Sequence, residues 1–227
     1  MRCVLYVLCI SVVASCSAES TPAEGDAQAP TDALVADDGT DGAERANFSA
    51  PADSGEVRAG RIGDSSGLLA GPKAEGQVGD VRMDNALVAF VLEDVRRTSG
   101  YSYWGGNVTD AAARRPDGTW APDHFGEAFF GWNLDLFKPE SVEIVDDGRV
   151  SGMAHVRYVG STAPFDFADS VIADFLNLDA PELDVVYDYT LGPDDRALTL
   201  TVTFQNPRAD KLAQRFEITG ASIARID

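Results

Sequence analysis

Side chains able to do chemistry crowd into one stretch of this 227-residue chain, from Tyr101 to Phe137. Nine aromatic residues lie there, including all three tryptophans (Trp104, Trp120 and Trp132), interleaved with Asn107, Asp110, Asp123, His124, Glu127 and Asp135. Aromatic faces beside amides and carboxylates suit sugars, because a ring covers the apolar C–H face while polar groups bond the hydroxyls. Trp104, Asn107, Trp120, His124 and Trp132 are therefore the candidate ligand-binding residues. The same rings serve equally as core and loop packing in a domain with long connections, which is their commoner use.

Asp123-His124-Phe125-Gly126-Glu127 is the one place where a histidine stands beside two acids. Sugar anomerisation needs an acid and a base on opposite sides of a ring oxygen. An imidazole can donate a proton and a carboxylate can abstract one, so His124 and Glu127 are the alternative catalytic reading. Neighbourhood in sequence does not place two groups across a substrate, and no catalysis is expected. One histidine with acids falls short of three zinc ligands, and the second histidine, His155, sits in the middle of a predicted strand where a structural role is expected. No metal and no cofactor are expected. Acids are too numerous for any glycosidase-type pair to stand out. Walker-type phosphate loops and nucleophile elbows are lacking.

The three cysteines, Cys3, Cys9 and Cys16, all lie at the start. Met1 and Arg2 precede an uncharged apolar run from Cys3 to Val13, too short to span a bilayer as a helix. The run ends in Val13-Ala14-Ser15-Cys16, which resembles the lipobox of bacterial lipoproteins: small residues, then the cysteine that is acylated before cleavage. The resemblance implies a signal peptide over 1–15 and membrane lipid as a partner through a diacylated, palmitate-bearing Cys16. Ser17 rather than Asp after the cysteine implies the outer membrane of a Gram-negative cell envelope. Several acyl chains hold a protein firmly where one would not. Once Cys3 and Cys9 leave and Cys16 is acylated, no thiol remains for a disulfide, a thiolate metal site or a nucleophile.

Net charge is −19, with 37 acids against 18 basic residues. Without a basic stripe to meet a phosphate backbone, nucleic acid is excluded as a partner. From residue 16 to 56 the chain is rich in Ala, Ser, Thr, Asp, Glu, Gly and Pro, with Phe48 its single aromatic, and reads as an acidic tether. Asp37-Asp38-Gly39-Thr40-Asp41-Gly42 within it lacks the closing acid of a calcium loop.

The elements that must position the aromatic stretch follow from residue 57 to 227. Val78 to Met83 and Ala86 to Glu93 are predicted to pair as a hairpin turning at Asp84-Asn85. Ser141 to Val145 and Val150 to Val159 form a second pair. Leu183 to Leu191 and Ala197 to Phe204, joined by Gly192-Pro193-Asp194-Asp195, alternate apolar and polar residues along both arms. Two short strands are predicted in Arg215 to Ile218 and Ser222 to Ile226, and one short helix in Phe167 to Leu176. Together these predict an all-β domain, an antiparallel β-sandwich with long loops and at most one or two short helices.

The strand pair Asp184 to Leu191 and Leu198 to Asn206, with the earlier Asn85 to Val91 followed by Gly105-Gly106-Asn107-Val108-Thr109-Asp110, resembles the galactose mutarotase-like supersandwich. It is similar also to the N-terminal β region of large lipoproteins of myxobacteria and their relatives. Supersandwich members include sugar epimerases, polysaccharide lyases and non-catalytic modules of glycosidases, usually longer than the residues after Gly60, so the resemblance implies an incomplete or minimal version. The function expected is an anchored, exported β domain that binds a glycan or a partner protein, with a mutarotase- or lyase-like enzyme using His124 and Glu127 as the alternative.

Overall fold

The computed structural model describes residues 48–132, 135–165, 182–205 and, for the backbone alone, 216–225. All of them belong to the unit 41–227. The lipobox, most of the tether and the helix predicted over 167–176 lie outside the described residues, as does the side chain of Trp132.

The fold is all-β, and among the described residues the one helical feature is a 3-10 turn at Ser65–Gly67. Four antiparallel strands form the first sheet in sequence order: β1 (Val57–Arg61), β2 (Val81–Asn85), β3 (Val88–Leu92) and β4 (Val108–Ala113). A second sheet of six, also a simple meander, holds β5 (Gly131–Trp132), β6 (Asp135–Asp147), β7 (Ala154–Pro164), β8 (Asp184–Leu191), β9 (Ala197–Gln205) and β10 (Phe216–Arg225). Consecutive strands pair antiparallel without a crossover, through short turns at β2–β3, β6–β7 and β8–β9, which is where local sequence patterning specifies most of this topology.

The sheets face each other across one core, with β1 over β6 and β7 and β2 near β8. Val81, Met83, Val88, Phe90 and Leu92 of the first sheet meet Val156, Tyr158, Tyr187, Tyr189, Leu200 and Val202 of the second. In β8 and β9 every second residue is buried, as the period-two pattern requires, and the outward residues are half-exposed.

The first sheet is covered on its other face too. Phe48, Ile62, Leu69, Ala89, Val91 and Ala112 make a second, smaller core, with Trp120 packed against it. This explains why all five residues of β2 are buried, including Arg82 and Asp84. The Arg82 guanidinium donates to Asp84 Oδ2 (2.8 Å) and to the Gly67 carbonyl (2.8 Å), and Arg58 grips both oxygens of Asp84 (2.9 and 2.8 Å). The Phe48 and Trp120 rings lie over Arg82, at 4.9 and 5.2 Å from their centroids. Among the described residues, packing therefore includes Phe48, inside the stretch expected to be tether.

The structure differs from expectation in several details. The first hairpin turns at Ala86-Leu87, two residues late, because Asn85 ends β2 and its Oδ1 accepts from the backbone N–H groups of Leu87 and Val88 (2.8 and 2.9 Å). The Asn85 amide also donates to the carbonyls of Gly192 and Asp195 (both 2.8 Å), tying this turn to the one between β8 and β9. The two final strands are one strand, β10, whose pairing with β9 slips between Ile218 and Ala221 and again between Ser222 and Arg225. Such bulges let a strand bend without ending. β1, which carries no clear alternation, is a full strand paired with β2.

Candidate functional site

The aromatic stretch is organised by an extension of the β3–β4 hairpin, residues 93–107. Its arms continue the ladder: Glu93 and Asn107 pair through Glu93 N–H to Asn107 carbonyl (2.9 Å), Arg96 N–H reaches the Trp104 carbonyl (3.3 Å), and Thr98 N–H reaches the Tyr103 carbonyl (2.7 Å). Thr98 Oγ1 closes the tip by donating to the Ser102 carbonyl (2.7 Å). At the base, Gly105 and Gly106 both adopt positive φ (79° and 78°), and a Cβ on Gly105 would sit 2.1 Å from the Asp94 carbonyl oxygen. Only glycine lets the returning arm pass so close.

Tyrosines from the second sheet hold this extension from below. Tyr158 Oη donates to the Glu93 carbonyl and Tyr189 Oη to the Gly106 carbonyl, each at 2.9 Å. Tyr187 Oη reaches the Phe130 carbonyl at 3.3 Å. Burial pushes all three phenols up from their usual range, so they stay protonated donors. Arg96 anchors the first arm through an ion pair with buried Asp80, which also accepts from the Asp94 and Gln77 N–H groups (2.9 and 2.7 Å).

Glu127 reaches in from the β4–β5 connection. Its Oε2 accepts from Tyr101 N–H (2.6 Å), and its Oε1 accepts from Ser102 N–H (3.0 Å) and from Asn107 Nδ2 (3.2 Å). Burial raises its pKa, and the two backbone donors partly offset that. Glu93, close by, is pushed up to about 7 by burial first and by the charge of Glu127 second. Asp110 is pushed up to about 6 by burial, against the Glu75 and Gly76 N–H groups it accepts from. Asp123 is raised for the same reason; its Oδ1 accepts from Phe125 and Ala111 N–H (2.8 and 3.3 Å).

The structure brings Asn107 and Glu127 together and places His124, Trp120 and Trp104 in different surroundings. His124 is exposed while its neighbour Asp123 is buried. Trp120 belongs to the outer layer, over Arg82 and Arg114 (5.2 and 5.9 Å). Trp104 packs edge-on to Tyr103 (5.7 Å). Phe137 stacks on Tyr187 in the core at 4.0 Å, and Phe130 meets Phe204 at 5.9 Å. His155 bonds Asp188 Oδ1 through Nε2 (2.6 Å), beside Arg157, which donates to the same oxygen (2.7 Å).

Among the described rings, two stand out by exposure. Tyr101 at the tip is 57% exposed and Phe129 is 38% exposed, with their centroids 6.1 Å apart and planes tilted by 31°. The depression lined by Phe130, Leu136, Phe137, Val185, Tyr187 and Phe204 has no interior room for a water molecule. Among the described residues no three His, Cys, Asp or Glu side chains gather as a metal site, and no helix is long and apolar enough to cross a membrane. Sequence reasoning placed Tyr101 and Phe129 in the aromatic stretch without distinguishing them, and what separates them is exposure, which spacing does not carry. No known protein family matches this chain, and no curated protein or solved structure is significantly similar to it.

Proposed function

We propose that this chain is an exported lipoprotein, anchored through Cys16, whose β-sandwich binds an uncharged glycan on the Tyr101–Phe129 surface. The observation that carries the binding half is an exposed pair of rings tilted by 31°, Tyr101 on a tip pinned by Glu127 and Thr98 and Phe129 beside it on the β4–β5 connection. A pinned tip loses little conformational entropy when a ligand settles on it, so affinity comes from contacts already in place. Sugar chains fit better than a compact metabolite because the rings form an open surface and not a cleft. An uncharged chain suits a protein with net charge −19 better than an anionic one. The anchoring half rests on the order of charge, apolar run, small residues and cysteine over residues 1–16.

The alternative enzyme would need Glu127 free to move a proton. Its oxygens accept three N–H bonds and hold the tip, which favours a positioning role.

Titrating residues 48–227 with a panel of neutral oligosaccharides, followed by tryptophan and tyrosine fluorescence, tests the binding. Tyr101→Ala with Phe129→Ala is expected to abolish the response while leaving the melting temperature unchanged. A panel without any response, or a response that survives both substitutions, refutes it. Labelled palmitate incorporated by the full chain and lost in Cys16→Ser tests the anchor; incorporation that persists in the variant refutes it.

A further inference from the structure

Directly beneath the tip, three buried side-chain oxygens have no hydrogen-bond partner: Glu93 Oε2, Ser102 Oγ and Asn107 Oδ1. The Glu93 side chain is 9% exposed, and Ser102 and Asn107 are 1% and 0% exposed. All three residues converge on Glu127. Ser102 bonds its Oε1 through the backbone N–H and Asn107 through Nδ2, and Glu93 pairs with Asn107 across the two arms, where the charge of Glu127 raises its carboxyl. Native proteins rarely leave one such oxygen orphaned, since each costs about 1–3 kcal/mol, and three around two carboxylates need an explanation. The nearest cation, Arg96, stands 3.9 Å from Glu93 Oε1 and is committed to Asp80.

We propose that Glu93, Ser102, Asn107 and Glu127 form a site for a hard divalent cation, calcium in an exported protein. Every donor is an oxygen from carboxylate, amide or hydroxyl, the set that calcium takes and that zinc or copper does not prefer. With two acids only, the remaining positions go to water, and the affinity falls in the weak range of extracellular modules, a Kd of about 0.1–1 mM. The donors come from four places in the chain: the first arm (Glu93), the tip (Ser102), the second arm (Asn107) and the β4–β5 connection (Glu127). A cation here therefore ties the tip that carries Tyr101 to the sheet. The site stands on these four residues alone and is independent of what the tip binds.

The experiment is thermal unfolding of the full chain with calcium chloride or EDTA, with terbium luminescence excited through tyrosine and tryptophan as the second readout. Calcium at about ten times its Kd is expected to raise the melting temperature by about 4 °C. Calcium should also quench terbium emission by competition. Glu93→Gln, which keeps the shape of the protonated side chain, should lose both effects, while Asp194→Asn on the exposed β8–β9 turn should keep them. No shift and no competed emission in the wild type overturns the proposal. A shift of equal size in Glu93→Gln also overturns it, because that assigns calcium to the diffuse acidic surface.

Discussion

Asp110 should make this protein more stable in mild acid than at neutral pH. The carboxyl is fully buried on the outer face of β4, where Oδ1 accepts from Glu75 N–H (2.8 Å) and both oxygens lie within reach of Gly76 N–H (3.2 and 3.1 Å). Burial outweighs those bonds and raises its pKa from 3.8 to about 6. Between those values the folded chain holds a proton that the unfolded chain has released, so stability falls as pH rises and the loss is complete above about pH 6. At 1.36 kcal/mol per pH unit the group accounts for ~3 kcal/mol. Asp188, Asp147, Asp117 and Asp64 are shifted the other way, below 3.8, and act only under that window. Glu93, Asp123 and Glu127 are raised and add to the trend. Urea unfolding of wild type and Asp110→Asn from pH 4 to 8, in EDTA, isolates the contribution of Asp110. The gap between the two curves should change by ~3 kcal/mol across the window, with Asn gaining on wild type as pH rises. Parallel curves would show that burial at this site does not disfavour the charge, and the reasoning would fail.

Asp84→Ala leaves Arg82, 1% exposed, without its carboxylate, and should cost about 3–5 kcal/mol by chemical denaturation. Replacing Arg82 and Asp84 together by Met and Leu should cost less, since the fully buried Arg82 charge leaves with its partner and only Arg58, 18% exposed, loses its carboxylate. Gly105→Ala meets both positive φ and the Asp94 carbonyl; the backbone strain alone is about 1–3 kcal/mol, and a variant as stable as wild type would contradict the tight crossing. Phe48→Ala should cost about 3–5 kcal/mol, and a chain beginning at residue 57 should melt below one beginning at 48.

What could be read in the sequence was whatever depends on local alternation. Val185, Tyr187 and Tyr189 against Leu198, Leu200 and Val202 gave the β8–β9 pair, its turn and its buried face, because the sheet's outer side is wet and the pattern is clean. β2 broke the rule: Arg82 and Asp84 occupy the positions a half-wet strand gives to solvent, yet a second layer covers them. Nothing in the spacing tells a covered Arg-Asp pair from an exposed one, and the ring that covers it, Phe48, stands alone in a polar run. The turn shift came from Asn85, whose side chain serves its own turn and a turn more than a hundred residues away.

The candidate site divides along the same line. Composition located the aromatic and acidic stretch, but the rings were sorted by depth: Phe137 and Phe130 went to the core, Trp120 to the cation-stacked outer layer, and Tyr101 and Phe129 to the surface. Glu127 drew attention as a base because it stood near His124. Its geometry instead pairs it with Asn107, twenty residues back, through a hairpin extension held by two consecutive glycines and two buried phenols. Tyr187 and Tyr189 read correctly as residues of one alternating face; that the Tyr158 and Tyr189 hydroxyls cross the core to carry Glu93 and Gly106 is a matter of sheet-to-sheet distance, which no one-dimensional pattern encodes. That crossing makes the tip an extension of the core, so a substitution at Tyr158 should loosen the surface at Tyr101 without touching it.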